Sequence, residues 1–213
     1  MLHAAVDGVE PLADHTNDMK IGLAIVLTLS AATVRADAGA ERLRHLRLQG
    51  AEDRHTEGIW LFAWGAANAV AGGTIIAVGH DDERWLGAGI AAASFGVVNA
   101  LLAFGLLDLS GEKRRAALSL DATDPKTLER LRDEQLAFEL QTGQFYAVNF
   151  GLDVAYVTAG IFMYSLGREM DPEAEWLQGA GLCVIGQGAF LLAFDLIAWI
   201  SANRRASAFR IEF

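Results

Sequence analysis

The sequence predicts an all-α integral membrane protein, a four-helix bundle built as two repeated helical hairpins. The first observation behind this fold class is composition: hydrophobic residues make up 53% of the 213 residues and the mean hydropathy is +0.26, which is too apolar for a typical soluble domain. The second is that four segments run almost without charge, each about as long as the ~20 residues that a helix needs to cross a ~30 Å hydrocarbon core. The third is the placing of tryptophans near the ends of these segments, at the level that an amphipathic ring prefers: Trp60, Trp85, Trp176 and Trp199.

An additional N-terminal helix, either a secretory signal or a signal-anchor, is predicted before the bundle. Residues 19–38 combine a lysine, an apolar core and the small-x-small pattern Ala36-Asp37-Ala38 of a signal-peptidase site. We therefore divide the chain into an N-terminal extension with this segment, residues 1–38, and the membrane bundle, residues 39–213. Cleavage would leave residue 39 outside the cell and conflict with the charge pattern described next, whereas a retained anchor agrees with it, although the ~14-residue core is short for a full crossing. Cleavage and the choice between Met1 and Met19 as the start stay open.

The four spans are predicted at residues 59–78, 85–107, 145–166 and 177–200. Arginines and lysines concentrate before the first span, in the middle loop and in the C-terminal tail, whereas the short loops GHDDER and GREMDPEAEW are acidic. Because basic loops stay in the cytoplasm, the short loops are predicted to face out and the C-terminus to be cytoplasmic.

The middle loop, residues 112–144, is predicted to be a cytoplasmic amphipathic linker. Asp124 followed by Pro125 is typical of a helix start, and this helix is expected to run into the third span. Its partial apolar face consists of Leu128, Leu131, Phe138 and Leu140. We expect the segment to lie on the membrane surface, with docking of a partner as the alternative.

The second and fourth spans begin and end alike, which indicates an internal repeat. Trp-Leu-Gly-Ala-Gly from residue 85 corresponds to Trp-Leu-Gln-Gly-Ala-Gly from residue 176, and LLAFG at 101–105 corresponds to LLAFD at 191–195. The first and third spans correspond as well, with Gly72 aligned to Gly160. Two hairpins of the same orientation would be related by an axis along the membrane normal. The alternative is chance similarity between spans rich in Gly, Ala and Leu.

Polar side chains from all four spans are predicted to form one layer in the bundle. Two carboxyl groups, Asp153 and Asp195, lie within roughly 7 to 12 Å of the inner face at 1.5 Å per residue. Asn68, Asn99 and Asn149 come to about the same depth, and Gln187 lies about two turns farther out. A charge within the bilayer costs at least ~2.5 kcal/mol, so these groups are expected to face the bundle interior, where the two carboxyls can share a proton.

This layer is compatible with two functions. The first is a scaffold or assembly protein whose polar side chains hold helices together, and this is the leading prediction. The alternative is a proton- or cation-coupled small-solute transporter that uses the two carboxylates. The expected partners are the lipid bilayer and either a second protein or another copy of this chain.

Other classes of function are excluded by composition and by the lack of motifs. The net charge of -10 argues against a nucleic-acid partner, since phosphate binding relies on clustered Lys and Arg. The single cysteine, Cys183, has no CxxC or Cys/His spacing around it, and no HExxH, GxSxG or Walker sequence occurs. His80 beside two aspartates is interpreted as an exposed turn. The sequence therefore predicts no enzymatic activity, no cofactor and no metal site.

The stretches NFGLDVAYVTAG at 149–160 and GQGAFLLAFDLIAW at 186–199 resemble an uncharacterised family of bacterial multi-pass membrane proteins. Trp64 with Asn68, and the Val-Val-Asn at 97–99, fit the same pattern. The resemblance covers most of residues 59–199. It implies a bacterial inner-membrane protein, and it implies no particular activity.

Overall fold

The computed structural model describes residues 15–119, 124–170 and 172–211, with side chains from residue 37 to residue 210 of these ranges. They form five helices: α1 (His15–Val78), α2 (Glu83–Leu106), α3 (Glu112–Leu118), α4 (Pro125–Glu169) and α5 (Glu175–Ile211). No strand occurs in these ranges, so the all-α prediction is confirmed. Residues 1–14 of the N-terminal extension lie outside the described residues. The backbone of the signal-like segment is the first part of α1, which continues without a break into the first apolar segment.

Four of the helices, α1, α2, α4 and α5, are long and apolar enough to cross a membrane. Each predicted span falls in a different one of them, although α2 ends one residue early, at Leu106. Large apolar side chains cover the outer surface of these segments; Val70 is 71% exposed and Phe162 is 65% exposed. Such a surface is unfavourable in water and suits hydrocarbon. These features indicate a membrane protein.

Short polar caps set the starts of α2 and α4. The Asp82 carboxylate accepts hydrogen bonds from the backbone N–H groups of Arg84 (2.9 Å) and Trp85 (3.1 Å). The Asp124 carboxylate accepts from the N–H of Thr127 at 2.9 Å, with Pro125 in the first turn. Both caps satisfy N–H groups that the helix itself leaves without partners. The helix start predicted at Asp124 is confirmed.

Glycines bring the two helices of each hairpin into backbone contact. A Cβ added to Gly65 or Gly72 of α1 would overlap backbone atoms of α2, and one added to Gly96 of α2 would overlap those of α1. In the second hairpin, a Cβ on Gly160 would lie 2.8 Å from the carbonyl oxygen of Gly181, and the reverse distance is 2.6 Å. Close packing of this kind is the main source of helix association in lipid, where burial of apolar surface contributes little.

The two hairpins meet where α2 and α5 begin. A Cβ on Gly87 would overlap the carbonyl of Trp176, and one on Gly179 would overlap the carbonyl of Arg84. Farther along, α1 and α5 are held together by long side chains, and α2 and α4 face each other across a cavity that is described below.

A second core lies beyond the apolar segments, where α1, α4 and α5 extend past them. Leu43, Leu46 and Phe209 are buried there, and Leu128 and Leu131 of α4 pack against them. The linker's position on the membrane surface stays a prediction. Leu128 and Leu131 of its apolar face pack against the chain's own helices, while Phe138 of the same face is 45% exposed. The packing occurs because α1 and α5 also continue as helices on this side and present matching apolar residues.

Candidate functional site

Asp153 of α4 and Asp195 of α5 are brought side by side. They are 3% and 5% exposed, and both side chains border one cavity, which is described next. Each lies on the buried face of its helix, where neighbouring turns carry small residues that let the helices approach. Two carboxyl groups can form a hydrogen bond only when one of them carries a proton. A hydrogen bond within this pair would therefore require a proton on one of the two carboxyls.

A cavity of about 410 Å³ between α2 and α4 opens onto this carboxyl pair. Asn99 and Asn149 also line it, so the structure brings four of the six predicted polar residues together. Asn99 is 2% exposed, and neither its Nδ2 nor the Oδ2 of Asp153 has a hydrogen-bond partner among the described residues. Buried polar atoms without partners are rare because each costs about 1–3 kcal/mol. The cavity can therefore both donate a further hydrogen bond, from Asn99 Nδ2, and accept one, at Asp153 Oδ2.

The remaining two predicted residues, Asn68 and Gln187, form a separate network between α1 and α5. The Gln187 side chain accepts a hydrogen bond from Trp64 Nε1 at 2.9 Å and donates one to Asn68 Oδ1, while Asn68 Nδ2 donates to the carbonyl of Trp64 at 2.8 Å. The Trp64 ring stacks on Phe190 with centroids 4.0 Å apart. The predicted polar residues therefore form two groups at different helix interfaces, one with Asn68 and Gln187 and one around the cavity.

A buried network of charges lies between the carboxyl pair and the second core. Arg205 of α5, which is 6% exposed, donates from Nε to Glu139 at 2.9 Å and from Nη1 to Asp53 at 3.1 Å. Arg54 donates to the other oxygen of Glu139 at 2.8 Å, and Glu57 lies 3.7 Å from Arg205. Glu139 itself is 1% exposed. The network thus joins α1, α4 and α5 through ion pairs, of which the two made by Glu139 are shielded from solvent and the one made by Asp53 is partly exposed.

The network has three carboxylates and two guanidinium groups. Burial and the neighbouring charges shift the pKa values of two of these groups. Burial raises the pKa of Glu57, although Arg205 and a hydrogen bond from Tyr146 oppose the shift. Burial alone would lower the pKa of Arg205, but the Glu139 and Glu57 carboxylates outweigh it and raise that pKa. Arg205 is therefore held in its charged form, while Glu57 binds a proton more readily than an exposed glutamate does.

Tyr146 connects the charge network to the cavity. Its hydroxyl donates to Glu57 Oε2 at 3.0 Å, its ring is 2% exposed, and it lines the cavity together with Asp153 and Asp195. Polar contacts thus run from Arg205 through Glu57 to Tyr146, whose side chain borders the cavity that also holds the carboxyl pair.

The turn after α2 is tied to α1 by a buried aspartate. The Asp108 carboxylate accepts from the N–H groups of Lys113 (3.2 Å) and Arg114 (3.1 Å), and its own N–H donates to His55 Nδ1 at 3.0 Å. Desolvation opposes ionisation of Asp108, but these backbone hydrogen bonds and the nearby cations outweigh it and lower its pKa.

Comparison with known proteins decides the family. A family model matches residues 60–196, which is more than half of the chain. The chain belongs to DUF6992, a family of unknown function. No curated protein and no solved structure matches it. The predicted resemblance to a family of unknown function is confirmed at this level. The DUF6992 match contains the carboxyl pair, Asn99, Asn149 and Glu139, and it ends before Arg205.

Sequence reasoning missed the charge network and Tyr146 in this DUF6992 protein. Arg54 and Arg205 are among the basic residues that were used only to predict the orientation in the membrane. A signal was nevertheless present, because Glu139, Tyr146 and Asp153 are spaced by seven residues and continue to Gly160 and Gly167. All five are buried in α4. A seven-residue spacing puts residues on one face of a helix that packs against neighbours at a shallow angle, so this spacing predicts a shared buried stripe.

Proposed function

We propose that this DUF6992 protein is a multi-pass protein of the bacterial inner membrane that binds a proton or another cation at Asp153 and Asp195, as a proton- or cation-coupled transporter of a small solute does. The observation that carries the proposal is that some buried polar atoms around the cavity lack hydrogen-bond partners among the described residues. Polar side chains that only hold helices together have their hydrogen bonds satisfied. Among the described residues, neither Asn99 Nδ2 nor Oδ2 of Asp153, a member of the carboxyl pair, has a hydrogen-bond partner, and both atoms are buried.

The scaffold function is the second candidate, and the α1–α5 network favours it. Trp64, Asn68 and Gln187 satisfy one another, as interhelical hydrogen bonds that serve packing do. We assign this group a structural role. A protein whose whole purpose is assembly with a partner or with a second copy would use such contacts and would not need the cavity.

We further propose that the two hairpins are repeats of one unit, related by an axis along the membrane normal. Contacts within the hairpins support it. Gly72 packs on the carbonyl of Gly89, and Gly160 packs in the same way on the carbonyl of Gly181. The paired positions are 88 residues apart in α1 and α4 and 92 residues apart in α2 and α5.

The contact between the hairpins supports the same relation. Gly87 meets the carbonyl of Trp176 and Gly179 meets the carbonyl of Arg84, and in each case the equivalent residue is 92 positions away. A two-fold relation requires such reciprocity, since residue i then contacts j and j contacts i. At this offset Asp195 corresponds to the buried Ala103, and not to the exposed Gly105 with which its sequence motif aligns.

The orientation is part of the proposal. The basic groups that the positive-inside rule places in the cytoplasm lie on the side of the second core, so the C-terminus is cytoplasmic. With Cys183 replaced by Ser, single cysteines at Asp81 and at Ser207 distinguish the two sides. A membrane-impermeant maleimide added to intact spheroplasts should label Cys at position 81 and not at position 207, and the opposite labelling contradicts the orientation.

Dicyclohexylcarbodiimide tests the carboxyl site, because it reacts with protonated carboxyl groups in apolar surroundings. With the protein in phosphatidylcholine nanodiscs, mass spectrometry should find one adduct per chain, at Asp153 or Asp195, and none in the Asp153→Asn, Asp195→Asn double variant. Absence of an adduct in the folded parent contradicts the proposal. The single variants are a second test, since Asn keeps the shape and cannot ionise. A binding site predicts thermal stability equal to or above that of the parent, whereas structural carboxyls predict a loss.

A further inference from the structure

The size and walls of the cavity between α2 and α4 suit a small organic molecule. Its volume of about 410 Å³ lies within the roughly 300–1,000 Å³ of small-molecule sites. Most of its lining is apolar, and aromatic rings from three helices face it, among them Phe95 and Tyr156, whose centroids are 5.5 Å apart. Flat or branched apolar bodies pack well against such walls.

The polar end of the cavity selects for positive charge. Among the described residues that line it, none is Lys, Arg or His, and the ionisable groups closest to its floor are the carboxyls of Asp153 and Asp195. With one shared proton the pair carries one negative charge. An anion would be repelled, and a neutral molecule would leave this charge without a counter-ion, so a singly charged cation is the best match.

The atoms without partners define the hydrogen bonds that such a cation would make. Asp153 Oδ2 can accept from an ammonium N–H, and Asn99 Nδ2 can donate to an oxygen of the same molecule or to a water molecule. Both residues are more than nine-tenths buried, so these bonds would form out of competition with bulk solvent.

The opposite face of the protein carries larger side chains at the equivalent positions. The proposed repeat makes Leu152 and Val98, which line the cavity, equivalent to Trp64 and Phe190. The two larger rings stack and fill their position, whereas the smaller pair leaves space. A groove of about 480 Å³ also lies on that face, lined by Phe190, Asp53 and Glu57 among others, but these two carboxylates already bond to Arg205 and Tyr146.

We propose that the cavity binds an amphipathic organic cation, with an ammonium group at Asp153 and Asp195 and an apolar or aromatic body against the α2–α4 walls. The inference rests on the proposed function of the carboxyl pair. The site would then have two states, one with the organic cation bound and one with an additional proton bound in its place. The cation and the proton compete for the same oxygens, which is the condition for coupling one to the other.

Equilibrium dialysis with a matched pair of probes tests this inference. The probes are 1-naphthylmethylammonium and 1-naphthalenemethanol, which have nearly the same shape and differ in charge. The protein is used as the full chain in phosphatidylcholine nanodiscs, and empty nanodiscs measure partition into lipid. We expect the parent to bind the ammonium at least tenfold more tightly than the alcohol.

Variants locate the binding. The double variant Asp153→Asn, Asp195→Asn removes the charge of the pair, and Leu152→Trp fills the cavity with the side chain found at the equivalent position. Each should weaken ammonium binding at least tenfold. Leu101→Trp adds the same ring on the outer surface of α2, where Leu101 is 64% exposed, and should leave binding unchanged. Equal binding of the two probes, or ammonium binding that survives Leu152→Trp, overturns the inference.

Carbodiimide labelling separates this inference from the function on which it depends. If the parent is labelled at the carboxyl pair and the ammonium neither binds nor slows labelling, the proton site stands and the organic-cation site is refuted. If labelling is absent as well, both proposals fail. If the ammonium binds and slows labelling, both are supported.

Discussion

Replacement of Arg205 by methionine should be among the most damaging single changes in this protein. Arg205 is 6% exposed and donates to Glu139 at 2.9 Å and to Asp53 at 3.1 Å. Removing one partner of a buried ion pair costs about 3–5 kcal/mol because the other charge stays buried. Arg54 still pairs with Glu139 at 2.8 Å, so we take the lower end, about 3 kcal/mol. In a chain of this size 1 kcal/mol corresponds to about 2–4 °C in Tm, which predicts a fall of roughly 6–12 °C.

The assay is thermal unfolding in nanodiscs, followed by tryptophan fluorescence, with two controls. Arg204→Met removes the neighbouring, exposed arginine and should change stability by no more than ~0.5 kcal/mol. The double variant Arg205→Met, Glu139→Met replaces the pair by apolar side chains and should recover most of the loss, because the uncompensated charge is then gone. If Arg205→Met unfolds at the same temperature as Arg204→Met, or if the double variant is less stable than the single one, the reasoning is refuted.

Three further predictions use the same unfolding assay. Gly96→Ala forces a Cβ into the backbone of α1 and should lower the free energy of unfolding by about 1–3 kcal/mol. Gly186→Ala, whose Cβ meets nothing within 4 Å, should be neutral or stabilising. Equal effects of the two variants would contradict close glycine packing. Trp64→Phe leaves the buried Gln187 Oε1 without its donor and should lower the free energy of unfolding by about 1–3 kcal/mol. Trp60→Phe changes a residue that is 65% exposed and should have little effect. Equal losses in the two variants would argue against the network. Because the pKa of Asp108 lies below its ordinary 3.8 in the folded chain, its charge stabilises the fold above that value and this contribution is lost as the pH falls through the folded pKa. The Tm difference between parent and Asp108→Asn should therefore be constant from pH 7 to 5 and shrink below about pH 4, and a constant difference throughout would contradict it.

Helix positions followed from local patterns in this chain, and the structure agrees with them. Four apolar segments of about 20 residues became four separate long helices, and the start of α4 lies at the Asp124-Pro125 pair where the sequence predicts it. Such features depend on hydropathy and on the backbone chemistry of a few adjacent residues. They can be recognised without knowledge of the partner of any side chain.

Partners across helices could not be predicted in the same way. Depth along the spans put Asn68 beside Asp153 at one level, but depth does not specify the direction in which a side chain points around its helix. The structure separates them, with Asn68 bonded to Gln187 and Asp153 beside Asp195. The seven-residue spacing in α4 would have placed Asp153 and Glu139 on one buried face, and combined with depth it would have found part of the charge network.

The sequence by itself determined that this chain forms long apolar helices joined by short acidic turns, because hydrophobicity and capping act within one segment. The tertiary structure alone decided that two aspartates share a cavity, that Arg205 is buried among carboxylates, and that two of the predicted polar residues belong to another interface. These outcomes depend on which faces of the helices meet. That choice is made by glycine contacts such as Gly96 on Gly65 and Gly181 on Gly160, where the absence of a Cβ at one residue permits the approach of a backbone distant in sequence.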